Sequence, residues 1–194
     1  VLGLLAGAIA RAIYPGRQGR GIIGTMILGV IGAFVGGFLW RLLVTTFLPV
    51  GFDEAYYYLY SRHLAWSDFD HPLLEALTTG VGWWPVGVGS ALTIRVGALL
   101  LYTLSLLLLY TTARYLFDEK TGVVAIAIGS IAPIFWIAFG VLTSPDNSLI
   151  FFWTLTLLLA AWEFIPRRFS STSSLRKAAY QPTYRVALIG LTVG

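Results

Sequence analysis

Cysteine is absent from this 194-residue chain. Its absence excludes disulfide frameworks, zinc–thiolate sites and thiol nucleophiles together, and leaves the redox compartment unmarked. Charge is scarce as well: Asp, Glu, Lys and Arg make up 11% of the chain, against about 25% in soluble domains. No phosphate-cradling glycine loop, Gly-x-Ser-x-Gly, His-Glu-x-x-His or strand alternation is found. What remains is apolar, 57% of all residues. A bilayer core about 30 Å thick needs about 20 apolar residues per helical crossing, so the length allows about five or six spans and no sizeable water-soluble domain. The expected fold class is all-α: a polytopic transmembrane helix bundle. The net charge of +4 comes from basic residues lying between apolar runs rather than on one folded face. They read as topology signals, and nucleic acid is not an expected partner.

Apolar runs fall at 1–14, 22–40 with a continuation past Arg41, 91–110, 122–142, 148–165 and from 186 onward. The first begins at Val1 without the basic region or cleavage site of a signal peptide, and the last is interrupted at Gly194, so the expectation is a chain cut at both ends. Gly29, Gly32 and Gly36 share one face of the second run, where another helix is expected to approach closely. The loop 166–185 holds Arg167, Arg168, Arg176, Lys177 and Arg185 without an acid, which places it in the cytoplasm. Counting back puts 143–147 and 51–90 outside, and the turn with Arg17 and Arg20 inside. Asp53 and Asp146 therefore emerge on the same outer face although far apart in sequence.

The outer stretch opens Phe52-Asp53-Glu54-Ala55-Tyr56-Tyr57-Tyr58-Leu59-Tyr60. Tyr56, Leu59, Tyr60 and His63 fall on one helical face, followed by Trp66, which predicts a short helix lying in the membrane interface. Asp53 suits a helix N-cap, a position that does not exclude chemistry. Asp68-Phe69-Asp70-His71-Pro72 concentrates two carboxylates and an imidazole; it reads either as a solvated turn or as a site for a divalent metal or a phosphate held through one. Asp146, after Pro145, is an ordinary helix-start acid or an acid facing Asp53. Arg41, Arg95 and Glu163 lie near the ends of apolar runs and are expected to snorkel.

Two resemblances divide the chain near Trp40. Residues 1–40, with Gly3-Leu4-Leu5-Ala6-Gly7 and Gly32-Ala33-Phe34-Val35-Gly36-Gly37, resemble the transglycosylase-associated small membrane proteins of bacteria, glycine-rich hairpins linked to stress responses. Residues 41–194 resemble the N-terminal part of the GT-C membrane glycosyltransferases, in the branch that holds protein O-mannosyltransferases and the aminoarabinose transferases of lipid A. The carriers are Asp53-Glu54 before a Tyr-rich helix, then Asp70-His71-Pro72, then Pro145-Asp146 before Phe151-Phe152-Trp153. Two departures stand out: Leu73 where relatives repeat proline, and Glu75 where an apolar residue is expected.

The resemblance implies sugar transfer from a polyprenyl-phosphate donor to a lipid or protein acceptor on the extracytoplasmic side of a bacterial cytoplasmic membrane. Asp53 and Asp146 are the expected catalytic acids. Glu54, Tyr57, Arg62 and His71 are the expected substrate contacts, and Asp70 marks the place for a divalent cation. The alternative is a noncatalytic membrane scaffold like the proteins its first forty residues resemble.

Overall fold

A computed structural model describes residues 22–165 and 183–193. The run 1–14, the turn with Arg17 and Arg20, and the basic residues from Arg167 to Lys177 lie outside the described residues. In chain order the α-helices are α1 (Ile22–Phe47), α2 (Phe52–Arg62), α3 (Leu73–Trp83), α4 (Ala91–Leu116), α5 (Glu119–Ile131), α6 (Pro145–Phe164) and α7 (Tyr184–Val193), with a π-helical turn at Phe135–Phe139 between α5 and α6. Among the described residues there is no strand, only a single antiparallel bridge between Ser67 and Pro72. The all-α expectation holds.

The central element is α4, which packs against α1, α3, α5 and α6. Its start is fixed by a reciprocal cap, since the Ser90 N–H donates to Thr93 Oγ1 at 2.8 Å and the Thr93 N–H donates to Ser90 Oγ at 3.3 Å. α5 begins where the Asp118 carboxylate accepts from the Thr121 N–H at 2.7 Å, and that hydrogen bond holds the carboxyl below its ordinary value. A buried cluster of Tyr102, Leu106 and Ile126, flanked by Phe34, Tyr110 and Phe139, joins α1, α4, α5 and the π turn. Outward residues such as Leu100, Leu104, Leu107 and Trp153 are large, apolar and exposed, as helices in lipid require.

Among the described residues, α4 and α6 are each long and apolar enough to cross a membrane, while α1 and α2 qualify only as a pair bent by 97°. The bend lays α2 across the end of the bundle, the geometry of the expected interfacial helix. Tyr56, Leu59 and His63 are exposed there, and Glu54, Tyr57 and Ser61 are buried.

One expectation needs correction. The run 122–142 is not one helix: α5 stops at Ile131, and Ala132 is extended with ψ 121°. Pro133 drives its predecessor out of the helical region and offers no backbone N–H, so the helix breaks there. At the α1 glycines, a β-carbon on Gly32 or Gly36 would meet nothing among the described residues, and the run 1–14 lies outside them. Tight contacts join α3 and α4, where a β-carbon on Gly97 would collide with the Thr78 carbonyl and one on Gly82 with the Thr93 carbonyl.

The described helices end in two groups. At one end the Tyr115 hydroxyl of α4 donates to the Ile165 carbonyl after α6 at 2.7 Å, and the Thr183 N–H donates to Glu163 at 3.0 Å. At the other end lie α2, α3 and the N-termini of α4 and α6, so Asp53, Asp70, His71 and Asp146 share it.

Candidate functional site

Asp53 and Asp146 occupy the same place in their helices. Gly51 caps α2 and Ser144 caps α6, which makes each Asp the second helical residue. Asp53 is thus not the N-cap that the sequence suggests. In both helices the next residue reaches back to the capping residue. Glu54 Oε2 accepts from the Gly51 N–H at 2.9 Å, and Asn147 Oδ1 accepts from the Ser144 N–H at 2.6 Å. The following side chain turns inward to close the helix end, which leaves the Asp outward, exposed and without a hydrogen bond among the described residues.

Beneath Asp53 lies a closed ionic knot. The five N–H donors of Arg95 meet five acceptors. Nε and Nη2 donate to Glu54 Oε1 and Oε2 at 2.6 and 2.5 Å, Nη1 donates to the Thr45 and Leu48 carbonyls at 3.1 and 2.8 Å, and Nη2 also donates to the Pro49 carbonyl at 2.9 Å. These carbonyls are the orphans that the end of α1 leaves unpaired, so a cation from α4 finishes α1. The Thr143 N–H adds a fourth donor to Glu54 at 3.1 Å. Glu54 is 3% exposed with its acceptor capacity filled, so it ties α2, α4 and the lead into α6 together and has nothing left for a substrate. Arg95, fully buried, does not snorkel. Nor does Arg41, buried with its guanidinium 4.7 Å from the Tyr102 ring centroid.

A polar layer covers the knot. Tyr60 donates to Asp70 Oδ1 at 2.7 Å, the same oxygen lies 2.8 Å from His71 Nδ1, and His71 Nε2 lies 3.5 Å from the Tyr57 hydroxyl. His71 and Tyr60 together hold the Asp70 carboxyl below its usual range. Burial, then the charges of Asp53, Glu75, Asp70 and Asp146, raise the Tyr57 hydroxyl above its ordinary value. Carboxylates from α2, the α2–α3 turn, α3 and α6 thus act on Tyr57 through their charge. Arg62 is exposed at the far end of α2, roughly 14 Å along the helix from Asp53. Of the expected site residues, the fold gathers Asp53, Tyr57, Asp70, His71 and Asp146, and leaves Arg62 apart.

The cation expected at Asp70 lacks a ligand set: among the described residues no three His, Asp or Glu side chains converge to hold a metal. Asp70 instead fixes His71. Sequence reasoning missed three contributors, Arg95, Thr143 and Glu75. Glu75 is 1% exposed, within 3.2 Å of Thr79 Oγ1 and 3.3 Å of Thr143 Oγ1, and burial pushes its carboxyl up to about 7. Its appearance in place of an apolar residue was the available signal.

The sequence model of the dolichyl-phosphate-mannose-protein mannosyltransferase family matches residues 70–170, just over half of the chain. The chain belongs to this family. The matched stretch of the mannosyltransferase family takes in Asp70, His71, Glu75, Arg95 and Asp146, while Asp53 and Glu54 precede it. With its apolar helices, membership makes the chain an integral membrane protein. Short curated proteins are similar over a smaller part. UPF0410 protein YmgE of Escherichia coli O127:H6 is 56% identical over 39 residues, covering 20% of this chain and 46% of that protein. YmgE of Escherichia coli K12 is 54% identical over 39 residues with the same coverage, and YeaQ of the same strain is 46% identical, covering 20% of this chain and 48% of YeaQ. The chain spans just under half the length of these curated relatives. No solved structure matches. α1 runs unbroken through Trp40 and Arg41.

Proposed function

We propose that the protein is a GT-C membrane glycosyltransferase acting at the outer face of a bacterial cytoplasmic membrane, and that the described helices hold its acid-bearing, acceptor-side half. The observation that carries this reading is the paired geometry of Asp53 and Asp146, two exposed and unbonded carboxylates at matching helix positions around one buried tyrosine. The donor is a polyprenyl-phosphate sugar, in line with the dolichyl-phosphate-mannose of the family's description, and the acceptor is a protein or lipid hydroxyl.

In this reaction Asp53 takes the proton of the acceptor hydroxyl while the acceptor oxygen bonds to the anomeric carbon. The bond from that carbon to the phosphate oxygen breaks, and polyprenyl phosphate leaves with its electron pair. Asp146 orients the acceptor across the site, and His71, held by Asp70 and Tyr57, lies on the phosphate side. Among the described residues Arg62 is the one arginine exposed at that end, so further cations on the leaving phosphate come from elsewhere.

The test supplies radiolabelled polyprenyl-phosphate mannose to membranes of a bacterial host that makes the protein. Transfer is expected to fall about 10²–10⁴-fold in Asp53→Asn, the usual contribution of a general base. Purified chain alone in proteoliposomes is expected to turn over little, for want of phosphate-side cations. Equal transfer by wild type and Asp53→Asn in host membranes favours the second reading, a noncatalytic membrane scaffold, which the similarity to the UPF0410 proteins supports.

A further inference from the structure

Asp53 and Asp146 are exposed, yet residues beside them are anchored in the interior, and the anchors form a closed circuit. It starts at α4. Arg95 of α4 holds Glu54 by two hydrogen bonds, which fixes the first turn of α2 one residue after Asp53. The Thr143 N–H, three residues before Asp146, donates to the same carboxylate at 3.1 Å. The Thr143 hydroxyl lies 3.3 Å from Glu75 Oε1 and 3.2 Å from Thr79 Oγ1, both on α3. α3 returns to α4 through close backbone contacts, since a β-carbon on Gly97 would collide with the Thr78 carbonyl and one on Gly82 with the Thr93 carbonyl.

A second hydroxyl pair holds α6 beyond Asp146. The Thr78 hydroxyl gives its one proton to the Leu74 carbonyl at 2.8 Å, so the Ser148 hydroxyl, 3.2 Å away, is the donor between them. α3 thus grips the lead into α6 at Thr143 and its first turn at Ser148, with Asp146 between. Thr143 alone among the described residues bonds to both buried acids, Glu54 and Glu75. It is 2% exposed, so water does not compete for its hydroxyl.

We propose that Thr143 is a positioning residue for the glycosyl transfer, the joint through which α2 and α3 hold Asp146 in a fixed place relative to Asp53. Its effect on rate rests on the transferase reading, and its effect on distance rests on geometry alone. Buried as it is, Thr143 acts through Asp146 rather than on a substrate. Its hydroxyl keeps the lead into α6 against α3, and a displacement of about 1 Å at reacting groups can cost about 10²-fold in rate.

The test uses the cysteine-free background. Phe52→Cys and Leu149→Cys, both at exposed positions, carry nitroxides near the starts of α2 and α6, and the distance between them is read by pulsed electron resonance in nanodiscs. One narrow distribution is expected for the labelled pair alone and with Thr143→Ser. A broader or displaced one is expected with Thr143→Val, which keeps the shape and loses the hydroxyl. In host membranes supplied with radiolabelled polyprenyl-phosphate mannose, Thr143→Val is expected to lower kcat about tenfold, the effect of one hydrogen bond, at unchanged KM for the donor. Thr143→Ser should keep most of the rate, and Thr143→Val/Ser148→Ala, which cuts both hydroxyl pairs, should approach the loss of about 10²-fold. An unchanged distribution in Thr143→Val, equal losses in the Ser and Val variants, or a displaced distribution with undiminished transfer overturns the proposal. Asp53→Asn in the same membranes separates the two readings: if it transfers as wild type does, glycosyl transfer fails as the function, and the distances alone decide whether Thr143 is the joint. Should Thr143→Val fail to fold, Thr79→Val removes the facing hydroxyl and is judged by the same distance and rate.

Discussion

Glu54 and Glu75 are buried to nearly the same degree on adjacent helices, and both bond to Thr143, one to its N–H and the other facing its hydroxyl. Glu54 also receives a two-pronged arginine and a backbone N–H, and no lone pair remains open. Glu75 receives hydroxyls on one oxygen and nothing on the other. The difference separates two kinds of buried acid: one with a matched cation is a fastener, and one without is pushed toward its protonated form.

The strongest way to break that comparison is to remove the cation. Arg95→Met leaves Glu54 buried and unpaired, and the expected loss is about 3–5 kcal/mol, read as a collapse of the thermal midpoint in detergent. The double variant Glu54→Leu/Arg95→Met should recover most of it. An unchanged midpoint in Arg95→Met would mean that the knot holds nothing together.

Glu75 carries the next effect, and it depends on pH. Its folded value of about 7 lies above the ordinary 4.5, so its contribution to stability is complete below about 4.5 and is lost as pH rises through 7. Stability should fall by roughly 2–3 kcal/mol across that window, and Glu75→Gln should flatten the curve. A slope that survives in Glu75→Gln assigns the titration to another group.

Smaller effects sharpen where α3 is held. Gly97→Ala drives a β-carbon into the Thr78 carbonyl, a backbone atom that yields only if α3 shifts, and should cost about 1–3 kcal/mol. Gly36→Ala meets nothing among the described residues and should stay within about 0.5 kcal/mol. The two thermal midpoints, measured side by side, separate a packing glycine from an idle one.

Much of this was legible in the sequence. Scarce charge and long apolar runs dictate a helical membrane bundle, and the sorting of basic and acidic segments places Asp53 and Asp146 at one end before any coordinate is seen. The tyrosine spacing of α2 predicts its exposed face. Pairings were hidden. Arg95 lies 41 positions from Glu54, and beside an apolar run it reads as a snorkelling cation because nothing local shows that α1 ends with open carbonyls above it. Gly29, Gly32 and Gly36 have the spacing of a contact face, while the close approaches among the described residues include Gly82 and Gly97, where helix contact depends on what lies opposite. Pro133 was visible but sits inside a run whose hydropathy masks the break. Glu75 was visible only as an anomaly, since its hydroxyl partners come from its own next turn and from the segment before α6.

The central claim is that Asp53 and Asp146 share one outward-facing end of the bundle. The absence of cysteine makes the test direct. Asp53→Cys/Asp146→Cys, treated on intact cells with a membrane-impermeant bifunctional thiol reagent, is expected to form an internal crosslink. Asp53→Cys/Arg114→Cys is expected to form none, because Arg114 lies roughly 35 Å down α4 from its start. A crosslink to Arg114→Cys, or none to Asp146→Cys while each thiol reacts singly from outside, would contradict the account.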